Sequence, residues 1–195
     1  RQQEAIDHMT RSVKQHPTRA EFHNALGAAY AADGRFDEAI RSYHKAVELK
    51  PDYAPAMNNL GNVLREQDRL DEAVAAYEQA LATRPDYAHA WHNLGIVHRN
   101  RGNLQQAEEC FRRVLELEPC FAEAHSSLGQ LRAHESPVEA IGHYRRALEL
   151  TPNDPATLIQ LGEVLRRTDR LDEAVAGFGQ VRENVEVSPE VDVAD

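Results

Sequence analysis

An all-α fold of stacked helix pairs is predicted by three features of the sequence. Prolines recur at a fixed interval: Pro17, Pro51, Pro85 and Pro119 stand 34 residues apart, and Pro152 follows after 33. Five Leu-Gly pairs run in phase with them, at Leu26-Gly27, Leu60-Gly61, Leu94-Gly95, Leu128-Gly129 and Leu161-Gly162. A small residue is followed four positions later by a large one at Ala5 and Met9, Ala39 and Tyr43, Ala73 and Tyr77, Ala107 and Phe111, Ala140 and Tyr144, and Ala174 and Phe178. Such a period marks a repeat architecture, in which each unit buries its apolar face only against its neighbours. Segments 60–77 (LGNVLREQDRLDEAVAAY) and 161–178 (LGEVLRRTDRLDEAVAGF) are nearly the same text.

Residues 1–19 read as a half repeat that supplies a second helix only, with Ala5 and Met9. Full repeats follow at 20–53, 54–87, 88–121, 122–154 and 155–182. Each splits into two amphipathic helices around a turn: Asp33-Gly34, Asp68-Arg69, Gly102-Asn103 and Asp169-Arg170 carry chemistry suited to short connections. In 88–121 the first helix places Trp91, Leu94 and His98 at helical spacing. The second places Leu104, Ala107, Phe111, Val114 and Leu115 on one face, and Pro119 ends it. The small residues let two helix backbones approach closely, and the aromatic four positions on fills the space beside them. Repeat 122–154 is one residue short, and the deletion falls at its turn. There Ser136-Pro137-Val138-Glu139 offers an N-cap, a proline at the first helical position and a capping-box Glu. The loop is expected to absorb the deletion without breaking the array. Residues 183–195 are acidic, contain Pro189, and read as a linker or tail.

The pattern W-x2-L-G-x2-Y, A-x3-F, P at a period of 34 resembles the tetratricopeptide repeat. Trp91, Leu94, Gly95, Ala107, Phe111 and Pro119 match it, with His98 where Tyr is usual. Leu26, Gly27, Tyr30, Ala39, Tyr43 and Pro51 match it again, with His23 in place of Trp; His125 takes the Trp position in the fourth repeat. The resemblance covers residues 1 to 182 and implies a right-handed superhelical solenoid of antiparallel helix pairs.

Several other classes are excluded. Lys and Arg number 22 against 32 Asp and Glu, a net charge of −10 that argues against nucleic acid as a partner. No run near 18 apolar residues exists to cross a membrane, and no apolar leader opens the chain; a cytoplasmic protein is expected. Enzymatic motifs are missing: no G-x-S-x-G, phosphate loop, dinucleotide-binding glycine motif or H-E-x-x-H occurs. No catalytic residue and no cofactor is therefore assigned. His89, His92 and His98 have a spacing that could hold a metal, but no carboxylate or thiolate completes the set, so groove or core positions are the better reading and no metal is expected. Cys110 and Cys120 form no metal-type pair and read as structural. Asp37-Glu38, Asp71-Glu72 and Asp172-Glu173 open second helices, where negative charge suits the helix dipole.

In this family, the resemblance implies, the first helix of each repeat lines a concave groove. By position that gives Asn24; Asn58, Asn59, Asn62 and Arg65; His89, His92, Asn93, Arg99 and Asn100; Ser127 and Gln130; and Arg166. Amides can pair with the N–H and C=O of an extended peptide, and arginines can meet its carboxylates. Three asparagines so close together, at Asn58, Asn59 and Asn62, also cost helix propensity. The groove differs from the carboxylate clamp of chaperone-binding adaptors, since Asn24, Asn58 and His92 stand where Lys would be. It is partly similar to the asparagine ladder of O-linked N-acetylglucosamine transferase arrays, matched at Asn59 and Asn93 but not at Ala25, Ser127 or Gln160. The expected function is a non-enzymatic interaction module that holds a protein or peptide segment. The alternative is the substrate-recognition array of a larger transferase, since neither end of the array looks closed and both read as cut from a longer protein. Uncapped ends would also permit self-association.

Overall fold

A computed structural model of the chain describes residues 2–170 and Glu173. Among them are ten helices and no strand: α1 (Gln2–Gln15), α2 (Ala20–Ala32), α3 (Phe36–Leu49), α4 (Ala54–Glu66), α5 (Leu70–Thr83), α6 (Ala88–Asn100), α7 (Leu104–Leu117), α8 (Ala122–Arg132), α9 (Pro137–Leu150) and α10 (Pro155–Arg167). The second helix of the last repeat, with Ala174 and Phe178, and the tail 183–195 lie outside the described residues, apart from Glu173. The described residues divide into two compact units, the first ending at Arg113 and the second beginning at Val114.

The period of 34 is visible as geometry. Ala39, Ala73, Ala107 and Ala140 are each wholly buried, as are the rings of Tyr77, Phe111 and Tyr144. Each ring lies on a glycine of the preceding helix. A Cβ built on Gly27 would stand 2.7 Å from the Tyr43 ring; on Gly61, 2.6 Å from Tyr77; on Gly95, 2.6 Å from Phe111; and on Gly129, 2.7 Å from Tyr144. These separations are shorter than any carbon–carbon contact, so glycine is required where the two helices of a repeat pair. Ala5, at the same register position as the buried alanines, is exposed.

Two kinds of turn alternate. Within a repeat, the connection needs one left-handed residue: Gly34 (φ 74°), Asp68 (φ 58°), Gly102 (φ 79°) and Asp169 (φ 58°). An L-residue is strained there, and Asp tolerates the region better than most. The shortened fourth repeat dispenses with that residue: α8 ends at Arg132, and the Ser136 N–H donates to the Arg132 carbonyl at 2.8 Å. Pro137 does open α9, but the expected capping box is absent. The Ser136 side chain makes no cap bond. Its backbone N–H is already taken by Arg132, and the Glu139 carboxylate turns to the Arg132 guanidinium at 3.8 Å. Despite the deletion, α8 and α9 stay paired, with Tyr144 over Gly129.

Between repeats, each proline sits second in a tight turn. N–H to C=O bonds close it from Arg19 to His16, Tyr53 to Lys50, Tyr87 to Arg84, Phe121 to Glu118 and Asp154 to Thr151, at 3.1–3.2 Å. Proline suits this place because its fixed φ matches the turn and its missing N–H is not needed. The acidic starts of the second helices do more than complement the helix dipole. Arg35 binds Glu38 at 2.7 Å, Arg69 binds Glu72 through two nitrogens at 2.7 Å each, and Arg170 binds Glu173. These hydrogen bonds hold the three carboxyls below the ordinary carboxylate range.

The cores are apolar. In the first unit Met57, Leu60, Val63, Leu64, Leu81, Leu94 and Val97 surround the rings; in the second, Ile141, Leu161, Val164 and Leu165 do so. Gly142 provides an internal comparison, being helical and exposed with open space where a Cβ would go. Gly61→Ala is expected to lower the melting temperature, because overpacking by about 1–3 kcal/mol exceeds the gain of up to ~1 kcal/mol in helix propensity. Gly142→Ala is expected to raise it. Thermal unfolding followed by circular dichroism reads both, and a stabilised Gly61→Ala would overturn the packing account.

Candidate functional site

Within the first unit the first helices α2, α4 and α6 lie side by side and present one polar face. Their ties are amide to amide. Asn59 Nδ2 donates to Asn24 Oδ1 at 3.0 Å, and Asn93 Nδ2 donates to Asn58 Oδ1 at 3.0 Å. Each bond spans 35 residues, one period plus one, so the sixth position of a repeat holds the fifth position of the repeat before. This changes the reading of two candidates. Asn58 is only 5% exposed and serves first as a tie between helices. In the second unit Ser127 is likewise buried, at 6%. Asn24, Asn59 and Asn93 are half-buried. In each tied pair one amide nitrogen and one amide oxygen keep hydrogen-bonding capacity.

Beside the ties is a second polar cluster on α4. The Tyr77 hydroxyl donates to Asn62 Oδ1 at 2.8 Å. Burial pushes the Tyr77 phenol up to about 12, and the Arg65 guanidinium against the same hydroxyl works in the other direction. Arg65 Nε is itself buried with no hydrogen-bond partner among the described residues. Arg65, Tyr77 and Asn62 thus form a short relay anchored on the ring that covers Gly61. Sequence reasoning named Asn62 and Arg65 but missed Tyr77, which it counted only as core. It also missed Tyr53, whose phenol is raised by burial and lies near Asn24.

The other candidates are distributed as follows. His89 and Asn100 are exposed and Arg99 is half-buried on α6; His92 packs at 5.5 Å from the Phe111 ring. In the second unit Gln130 is half-buried and Arg166 exposed. His89, His92 and His98 do not converge: the first is exposed, the second half-buried, the third 9% exposed. Among the described residues no group of three or more His, Cys, Asp or Glu could hold a metal. Cys110 is buried, which pushes its thiol up to about 12, while Cys120 is exposed.

The histidines at the tryptophan position have a defined role. The Trp91 indole N–H donates to the Pro85 carbonyl at 2.9 Å. His23 Nε2 meets the Pro17 carbonyl at 2.8 Å, and His125 Nε2 meets the Pro119 carbonyl at 3.2 Å. A carbonyl only accepts, so each imidazole carries its proton on Nε2 and replaces the indole N–H in pinning the inter-repeat turn.

With this geometry in view, comparison with known proteins gives a consistent result. Tetratricopeptide-repeat models match residues 18–86, 52–117, 92–155 and 143–176, and the chain belongs to the tetratricopeptide-repeat family. No curated protein matches the sequence. Among solved structures, MamA is 28% identical with a TM-score of 0.66, covering 75% of this chain and 86% of its own. PilF of Pseudomonas aeruginosa is 22% identical with a TM-score of 0.82, covering 96% and 86%. YrrB, described as a TPR protein with an unusual peptide-binding site, is 20% identical with a TM-score of 0.68, covering 96% and 95%. The fold is that of a protein–protein interaction or scaffold module, and no helix among the described residues is long and apolar enough to cross a membrane.

His98, at the usual tyrosine position, gives this unit a pH response. Burial, reinforced by Arg101 and opposed by Glu78, holds its imidazole below the ordinary value of 6.5, and its Nδ1 is buried without a partner among the described residues. A depressed folded-state pKa means the unfolded chain binds the proton more readily. The stability is therefore full above about pH 6.5 and declines as pH falls below it. His98→Tyr is expected to lose less stability than the parent between about pH 7.5 and about pH 5.5, read as a smaller fall in melting temperature over that range. Equal losses would remove His98 as the cause.

Proposed function

We propose that the face built by α2, α4 and α6 holds an extended peptide segment of a protein partner. The observation that carries this reading is the Arg65–Tyr77–Asn62 relay. The Arg65 guanidinium, set against the Tyr77 hydroxyl, stands beside an amide whose Nδ2 can still donate. Such a group of donors suits a carbonyl or carboxylate of a peptide, and the tied asparagines on either side offer further donors and acceptors to its backbone. The peptide-binding site in the description of YrrB is a precedent on the same fold. Because Asn59 and Asn93 also brace the helices, they support the peptide and position the face together. The alternative reading, a recognition arm of a larger transferase, would use this same face and differs only in what is attached to it.

The test is direct. Peptides are selected from a random display library on the purified chain, and their affinities are measured by calorimetry. Arg65→Gln and Asn62→Ala are each expected to weaken binding by about tenfold, from a loss of ~1–2 kcal/mol. Circular dichroism checks that both variants remain folded. Unchanged affinity in both variants would reject this face as the binding site.

A further inference from the structure

The second unit carries a pair of histidines contributed by two helices. His125 lies on α8 and His143 on α9. Their Nδ1 atoms stand 3.4 Å apart, with ring centroids 5.7 Å apart and planes at 37°. His125 is held from its far side by the Pro119 carbonyl, which accepts a hydrogen bond from Nε2–H at 3.2 Å. Neutral His125 therefore offers a lone pair at Nδ1, toward His143. Metal-bound histidines use this arrangement, one ring nitrogen donating to a carbonyl and the other facing the ion.

We propose that His125 and His143 form a two-histidine zinc site. Zinc–imidazole bonds are about 2.0–2.1 Å, and two of them at a tetrahedral angle place their nitrogens about 3.3–3.4 Å apart. The observed 3.4 Å matches that separation. The right-angle arrangement favoured by Cu2+ would need about 2.8–2.9 Å at similar bond lengths, so the rings would have to close on it. No third His, Cys, Asp or Glu completes the set among the described residues, so water would have to complete the coordination. Arg146 lies near His125 but is bound to Glu149 at 2.6 Å.

The site is tested on the untagged full chain with ZnCl2, by NMR of the histidine ring nitrogens and by thermal unfolding. The first equivalent of Zn2+ is expected to move the Nδ1 signals of His125 and His143 together. About a tenfold excess is expected to raise the melting temperature by ~2–4 °C. His143→Gln, which leaves the His125–Pro119 bond intact, is expected to lose both responses. The double variant His89→Gln/His92→Gln is expected to keep them, which separates this pair from the other histidines. If His143→Gln responds as the parent does, or if other ring nitrogens move first, the pair is only a hydrogen-bonded contact and the proposal fails.

Discussion

The ring edges of Tyr43, Tyr77, Phe111 and Tyr144 occupy space that a Cβ would need on Gly27, Gly61, Gly95 and Gly129, and much of the remaining geometry follows from that closeness. With the ring seated on the glycine, the alanine four residues before it is wholly buried in every one of those repeats. The angle between the two helices of a repeat is then set by hard contact, since packed interiors resist small changes of volume. In the second repeat the same ring carries its hydroxyl through to Asn62, so the polar face takes its position from the core beneath it.

A second layer of order comes from hydrogen bonds between repeats. The amide ties place one first helix against the next in the first unit. In the second unit, Thr157 Oγ1 donates to Ser126 Oγ at 2.9 Å and Arg167 donates to the Ala133 carbonyl at 2.7 Å across the same kind of junction. Proline turns set the chain direction, and an indole or imidazole N–H pins three of them. Different side chains thus meet one requirement, a donor aimed at the prolyl carbonyl.

The fold was legible because its cause is periodic. Proline, Leu-Gly and the Ala-to-aromatic spacing each report a contact made again in every unit, so a single sequence records it several times over. Helix starts were less legible. The capping box at Ser136 and Glu139 has the right residues, but a backbone bond to Arg132 claims the N–H first, and spacing alone does not reveal that competition. The face was half legible. Its positions followed from the resemblance, but whether an asparagine faces solvent or a neighbouring helix depends on an offset of one residue between repeats. That offset was present in the numbers of Asn24 and Asn59, and of Asn58 and Asn93. The role of Tyr77 left no trace, because an aromatic chosen to cover glycine and one chosen to carry a hydroxyl occupy the same position.

The missing residue in the fourth repeat has a consequence for how such a gene can change. The loss falls in the turn that elsewhere needs a left-handed residue, and the ring-on-glycine contact of that repeat survives it. A length change in that turn is absorbed locally. The same change inside a helix would rotate every later side chain by about 100° and misplace the ties of the next unit. Duplication of a whole period, by contrast, preserves each spacing automatically. Adding or removing a whole unit is therefore compatible with the contacts described, while a change of length inside a helix is not.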